Sequence, residues 1–236
     1  MPIFYTPSVN IGKETIILPK EESHHIRNVL RKNPNDRISV TDGKGNLYKV
    51  QIDKLTDRGI TGRILERESY TADSDCEISI AQAVPKGSRM DFFVEKATEL
   101  GVNEIIPIHT KRSLFPNDKR ERWQRVAISA IKQSERLFLP RIEPLSSYED
   151  VLRRVNGYDI TIIAWERAKD RRLKGLLNDK QKILAFVGPE GGFTDDEIEE
   201  AQASGAIPIT LGDNILRSET AGIALITMIL YEKGRL

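Results

Sequence analysis

Apolar positions follow two different rhythms along this chain. In the first 65 residues they alternate with polar ones. Ile38 and Val40, then Tyr48, Val50 and Ile52, recur at every second position, as in half-buried strands. Between them Asp42-Gly43-Lys44-Gly45-Asn46 is rich in turn formers, so the two runs form a hairpin. A third strand is expected over 60–65. Upstream, Ser23 is placed to cap a short helix that carries Ile26, Val29 and Leu30 on one face, and Pro34-Asn35 stops it. Residues 66–75 are polar and without periodicity, and read as linker.

From Glu77 the rhythm changes. Strand-like apolar runs at 78–84, 102–108, 158–165, 183–187 and 207–211 alternate with helix-spaced segments. Met90, Phe93, Val94, Ala97 and Leu100 mark one helix, ended by Gly101. Trp123, Val126, Ala127, Ala130, Ile131 and Ser134 mark a longer one. Thr194 and Glu197 form a capping box for a third. Ser218 opens a last helix with Ala221, Ala224, Leu225, Met228 and Ile229. Such alternation implies βα units and a mainly parallel sheet. The expected architecture is a small β-rich domain over 1–70, a linker at 71–76 and an α/β domain over 77–236.

The 236 residues, 39% hydrophobic and 30% charged, suit a soluble globular protein. No apolar run approaches the roughly 20 residues that span a bilayer, and the start lacks a signal-peptide pattern. Cys76 is the sole cysteine, which excludes an internal disulfide and a thiolate metal cluster. A cytoplasmic location is expected. The net charge of +1 hides an asymmetry: residues 1–70 hold 12 basic and 9 acidic side chains, 86–141 hold 12 and 7, and 142–236 hold 12 and 16. The first half is mildly basic and the last third acidic.

Candidate chemistry concentrates in that last third. Gly188-Pro189-Glu190-Gly191-Gly192 and Leu211-Gly212-Asp213-Asn214-Ile215-Leu216-Arg217 each leave a strand and enter a helix. Loops at the C-terminal ends of strands are where open α/β sheets bind ligands. Neither loop has the Gly-Lys-Ser/Thr of a phosphate loop or the three-glycine dinucleotide fingerprint. A nucleotide-like ligand without a phosphate chain fits better. Ala164 and Trp165, at another strand end, form a third wall. His24, His25 and His109 lack metal-ligand spacing, and no Ser-His-Asp set is visible. No nucleophilic cysteine with partners is evident either.

These loops carry a family resemblance. Gly188–Gly192, Leu211-Gly212, Ile215-Leu216-Arg217 and Glu219-Thr220-Ala221 resemble the C-terminal signature of the SPOUT methyltransferases. The segment His24–Arg31, Lys86-Gly87 and Gln133-Ser134 extend the likeness over the whole chain. The nearest type is RsmE, which methylates N3 of one uridine in small-subunit ribosomal RNA. The resemblance implies a PUA-like N-terminal domain, a knotted α/β catalytic domain, a homodimer, S-adenosylmethionine as cofactor, no metal, and ribosomal RNA or the small ribosomal subunit as partner.

It also implies site residues. Ala164, Trp165, Gly188, Gly191, Gly192, Leu211, Gly212, Ile215, Leu216, Thr220 and Ala221 would hold the cofactor, with Leu211, Ile215 and Leu216 around the adenine. Uracil N3 carries a proton at neutral pH, so methylation there needs a base or a cation that stabilises the uracil anion. Arg217 is the expected cation and Glu190 a candidate base or partner of the sulfonium. Arg27, Arg31, Lys32, Lys86, Arg89, Lys111, Arg112 and Arg136 would contact RNA phosphates. One departure stands out: many relatives place an arginine before the first aromatic pair, whereas here Pro2-Ile3 precede Phe4-Tyr5. The rival readings are a ribose 2′-O or tRNA base methyltransferase of the same class, and an RNA-binding protein without catalysis.

Overall fold

The computed structural model describes residues 3–56, 59–72, 75–113, 117–168 and 171–236. The chain divides into two compact units, Met1–Ala72 with Ile128–Leu139, and Asp73–Ala127 with Pro140–Leu236.

The first unit is a five-stranded sheet of β1 (Ile3–Tyr5), β2 (Thr15–Leu18), β3 (Arg37–Thr41), β4 (Asn46–Thr56) and β5 (Gly59–Ser69), in the order β1-β3-β4-β5-β2. The β3–β4 hairpin forms where alternation and turn chemistry predicted it. Asp42 fixes its turn by accepting from the Lys44 and Asn46 amides at 2.8 and 3.3 Å. Ile16, Leu18, Ile38, Val40, Val50, Ile52 and Ile60 make the core.

Four features of this unit differ from the sequence reading. β1 and β2 were not foreseen, because both are too short to show a period. Ser23 does not cap the helix: α1 (Lys20–His24) starts after Pro19, and the buried Ser23 hydroxyl donates back to the Pro19 carbonyl at 3.0 Å. A π-helical turn over His25–Val29 continues it. Glu66–Ser69, taken for linker, extend β5 against Asn46–Lys49. Their polarity reflects exposure, and the Arg67 guanidinium lies over the Tyr48 ring at 5.6 Å. Residues 128–139 also join this unit, through the Gly43–Leu139 and Gly45–Leu137 backbone bonds and the Lys132–Glu22 ion pair.

The second unit is a parallel sheet of β6 (Glu77–Ala83), β7 (Glu104–His109), β8 (Arg141–Ile142), β9 (Ser146–Ser147), β10 (Ile160–Ala164), β11 (Lys182–Val187) and β12 (Ile207–Ile209). Its order is β12-β10-β11-β6-β7-β8, with β9 also on β7. The helices are α2 (Arg89–Leu100), α3 (Arg120–Gln133), α4 (Tyr148–Leu152), α5 (Asp195–Ala203) and α6 (Ser218–Glu232). The sheet is covered on both faces, which is why its strands read as continuous apolar runs. Ala81, Ala83, Ile106, Ile108, Leu184 and Phe186 pack with Tyr148, Val151, Phe193 and Ile198 of α4, α5 and the adjoining loop. Gln82, alternating with Ala81 and Ala83, meets α6 on the other side. The capping box at Thr194–Glu197 forms as predicted.

Candidate active site

The register of the sheet sets the site. β10 pairs with β12 on one side and β11 on the other, so the loops after these three strands leave the same edge together. They enclose a pocket of about 230 Å3. Ala164 and Trp165 come from the first loop, Gly188 to Phe193 from the second, and Leu211, Gly212, Ile215 and Leu216 from the third, with Ser218 and Ala221 at the start of α6.

Each loop is held by its own chemistry. In the second, the Gly192 amide closes a turn on the Pro189 carbonyl at 2.9 Å, and Gly192 has φ +68°, a region that side chains rarely adopt. The buried Phe193 ring lies about 3.1 Å from where a Cβ on Gly188 would stand. Arg112 donates to the carbonyls of Gly191 and Phe193 at 2.8 and 3.3 Å, fastening the loop from outside. In the third, Gly212 turns at φ +125° and exchanges hydrogen bonds with the Thr210 hydroxyl.

The second loop is joined to the start of α6 by a relay that sequence reasoning missed. Gln82, fully buried at the end of β6, donates to the Ser218 hydroxyl at 2.8 Å, which donates to the Gly188 carbonyl at 2.6 Å. The only signal in the sequence was one amide inside a mostly apolar strand. A buried donor so placed holds both partners in register, because breaking it strands a polar group.

The pocket's chemistry is selective. Its lining includes the carboxylates of Glu166 and Glu190 and no lysine or arginine. Glu166 makes no ion pair among the described residues, so the pocket disfavours phosphate and favours a cation. The Trp165 indole nitrogen is buried and has no hydrogen-bond partner among the described residues.

Comparison with known proteins agrees with this geometry. The family described as RNA methyltransferase domain matches residues 72–230, and the RNA methyltransferase PUA domain matches 18–65. The ribosomal RNA small subunit methyltransferase E of Rickettsia conorii is 33% identical over 213 residues, covering 87% of this chain and 85% of that protein. The chain belongs to the ribosomal RNA small subunit methyltransferase E family. The Bacillus subtilis protein of the same name is 29% identical, with 92% and 90% covered. A crystal structure of the Neisseria gonorrhoeae methyltransferase E bound to S-adenosyl methionine matches at a TM-score of 0.87 and 33% identity, covering 98% and 97% of the two chains. The family carries with it the PUA-like domain and the α/β methyltransferase domain.

In this methyltransferase, ten of the eleven residues expected at the cofactor line the one pocket, and Thr220 lies outside the lining. Arg217 precedes α6 with its side chain exposed, and among the described residues it makes no ion pair or side-chain hydrogen bond. Glu190 pairs with Arg89 at 3.0 Å and accepts from the Lys86 amide at 3.1 Å. Partial burial pushes the Glu190 carboxyl up. The Lys86 and Glu190 amides and the charges of Arg89 and Lys86 outweigh it and hold the group below the usual carboxylate range. Arg89 also stands 3.8 Å from the buried Glu219.

The other basic residues differ in availability. Arg27, Arg31 and Lys32 lie in the first unit, where Arg27 and Arg31 are exposed and Lys32 is half-buried. Arg136 is half-buried and lowered by desolvation. Lys111 pairs with Asp196 at 3.3 Å, and that hydrogen bond raises it.

Proposed function

We propose that this chain transfers a methyl group from S-adenosylmethionine to N3 of a uridine in small-subunit ribosomal RNA. The observation that carries the reading is the three-loop pocket with carboxylates and no basic side chain, in a fold shared with a relative solved with that cofactor. When bound, the cofactor supplies an electrophilic methyl on a sulfonium. Leu211, Ile215 and Leu216 give an apolar wall for adenine, the Trp165 indole and the loop amides read its polar edges, and the carboxylates of Glu166 and Glu190 face positive charge.

A depressed carboxyl is a weak base, so Glu190 serves as an ionised partner for charge and for Arg89. Arg217, a guanidinium free of a partner among the described residues, stabilises the uracil anion as the N3 proton leaves to solvent. The N–C bond forms as the S–C bond breaks, leaving S-adenosylhomocysteine and methylated uracil.

Residues 1–70 act as the RNA-binding module, with Arg27, Arg31 and Lys32 toward phosphate, 71–76 as the linker and 77–236, apart from the 128–139 segment that folds with the first unit, as the catalytic domain. The active form is a homodimer built on α6, whose Ala221, Ala224 and Met228 are only half-buried and whose Tyr231 is 73% exposed. Among the described residues no helix is long and apolar enough to cross a membrane.

The test is methylation of unmodified small ribosomal subunits and of naked small-subunit RNA, followed by nucleoside mass spectrometry. The expected product is 3-methyluridine. Methylation at ribose oxygen or at another base would overturn the N3 assignment.

A further inference from the structure

The geometry points to a second pocket, beside the first, as the seat of the acceptor nucleotide, with its phosphate held by Lys86 and Lys119. The inference rests on the cofactor reading of the neighbouring pocket. This second cavity measures about 530 Å3, within the range of pockets that take small ligands. It opens at the C-terminal ends of β6 and β11, between Val84–Ser88 and Glu190. That is where the sheet order reverses: β7 and β8 lie on one side of β6, and β11, β10 and β12 on the other. Open α/β sheets bind ligands in the crevice at such a reversal. Glu190 lines both pockets, so the two abut at one side chain.

The two pockets sort charge in opposite ways. In the second, the acids are already neutralised. Asp91 is held by the Arg122 Nε at 3.1 and 2.9 Å, and Glu190 by Arg89 at 3.0 Å. Lys86 and Lys119 are exposed and make no ion pair among the described residues. What remains is positive, and an anion is the ligand it selects. Behind the lysines the wall is apolar: Val84, Pro85, Met90 and Trp123, the last 1% exposed. A cationic rim over an apolar and aromatic wall matches one unstacked nucleotide of an RNA strand, phosphate outward and base inward.

The chain has two tryptophans, and each pocket has one: Trp123 here and Trp165 at the cofactor. In the full-length Trp165→Phe variant, Trp123 alone reports. Uridine 5′-monophosphate should quench it saturably. In the same background Lys86→Ala with Lys119→Ala should weaken that response about tenfold, or about 1.4 kcal/mol. The affinity of the doubly substituted protein for S-adenosylmethionine, read by calorimetry, should equal that of its Trp165→Phe parent, which shows the fold intact. A Trp123 signal that uridine 5′-monophosphate leaves unmoved, or that ignores the lysines, overturns the assignment. Inorganic phosphate matching the nucleotide's response would reduce the pocket to an anion site and overturn the nucleotide. Loss of S-adenosylmethionine binding in the wild-type chain, with the uridylate response intact, would sink the cofactor reading alone.

Discussion

Gly222 in α6 sets a local rule against a tertiary one. By helix propensity alone, Gly222→Ala should stabilise the protein by up to about 1 kcal/mol. The packing says otherwise. A Cβ built there stands 2.3 Å from Gln82 Oε1 and 2.5 and 3.0 Å from two atoms of the Phe93 ring. Both neighbours are fully buried, so neither can swing into solvent. Overpacking of this kind costs about 1–3 kcal/mol. Moving Gln82 also breaks its bond to Ser218, worth about 1 kcal/mol more. The net expectation is a loss of about 1–3 kcal/mol, or about 2–12 °C in Tm for a chain of this size. Because Ser218 holds Gly188, S-adenosylmethionine affinity should fall about fivefold, the equivalent of about 1 kcal/mol. Thermal denaturation and calorimetry read the two effects. Gly157→Ala, where a Cβ meets nothing within 4 Å, is the control and should leave both unchanged or slightly raise Tm. A Gly222→Ala protein as stable as wild type, with unaltered cofactor affinity, would refute the relay.

Three further outcomes follow from the same geometry. Arg217→Ala should lower turnover about 100-fold or more while S-adenosylmethionine affinity stays within about twofold, since Arg217 does not line the cofactor pocket; an equal loss in both would make it a cofactor ligand. Glu190 has a depressed carboxyl, so its pairing contributes stability above the unfolded glutamate value of about 4.3 and loses it as pH falls through the lower folded value. The stability gap between wild type and Glu190→Gln in urea should therefore be flat near neutrality and close only below about pH 4; a gap that closes between pH 6 and 8, on the order of two units higher, would contradict it. Tyr148, buried with its hydroxyl 2.6 Å from the Glu197 carbonyl, is shifted upward by burial and by Glu197, Glu200 and Glu149. Tyr148→Phe should cost about 1–3 kcal/mol in denaturant melts, and a neutral result would show that water replaces the bond.

The second unit was largely legible in the sequence because its strands and helices are long and its sheet is buried on both faces. The strand ends that carry Ala164, Gly188 and Leu211 were found, and the glycine loops pointed to one pocket. Other features leave no local trace. β1, with three residues, and β2, with four, cannot show a period. Glu66–Ser69 look like linker because an edge of a sheet that faces water has polar side chains on both sides. The return of residues 128–139 to the first unit is decided by contacts some 90 residues away in the chain, at Gly43 and Gly45. The Gln82 relay depends on a strand and a helix start separated by 136 positions. The last helix was placed correctly, yet its buried side includes Ile226 and Leu230 and leaves Ala224 and Met228 half-buried. Spacing gives a helix its stripe, and the neighbours decide how that stripe is turned.

The most direct test of the central claim is calorimetric titration of the full-length protein with S-adenosylmethionine, with ATP as control. A pocket with two carboxylates and no basic side chain should bind the first saturably at one site per chain and show no heat of binding for the second. Binding of ATP in preference to S-adenosylmethionine, or no binding of S-adenosylmethionine, would contradict the assignment of the three-loop pocket and return its glycines to the role of chain reversal.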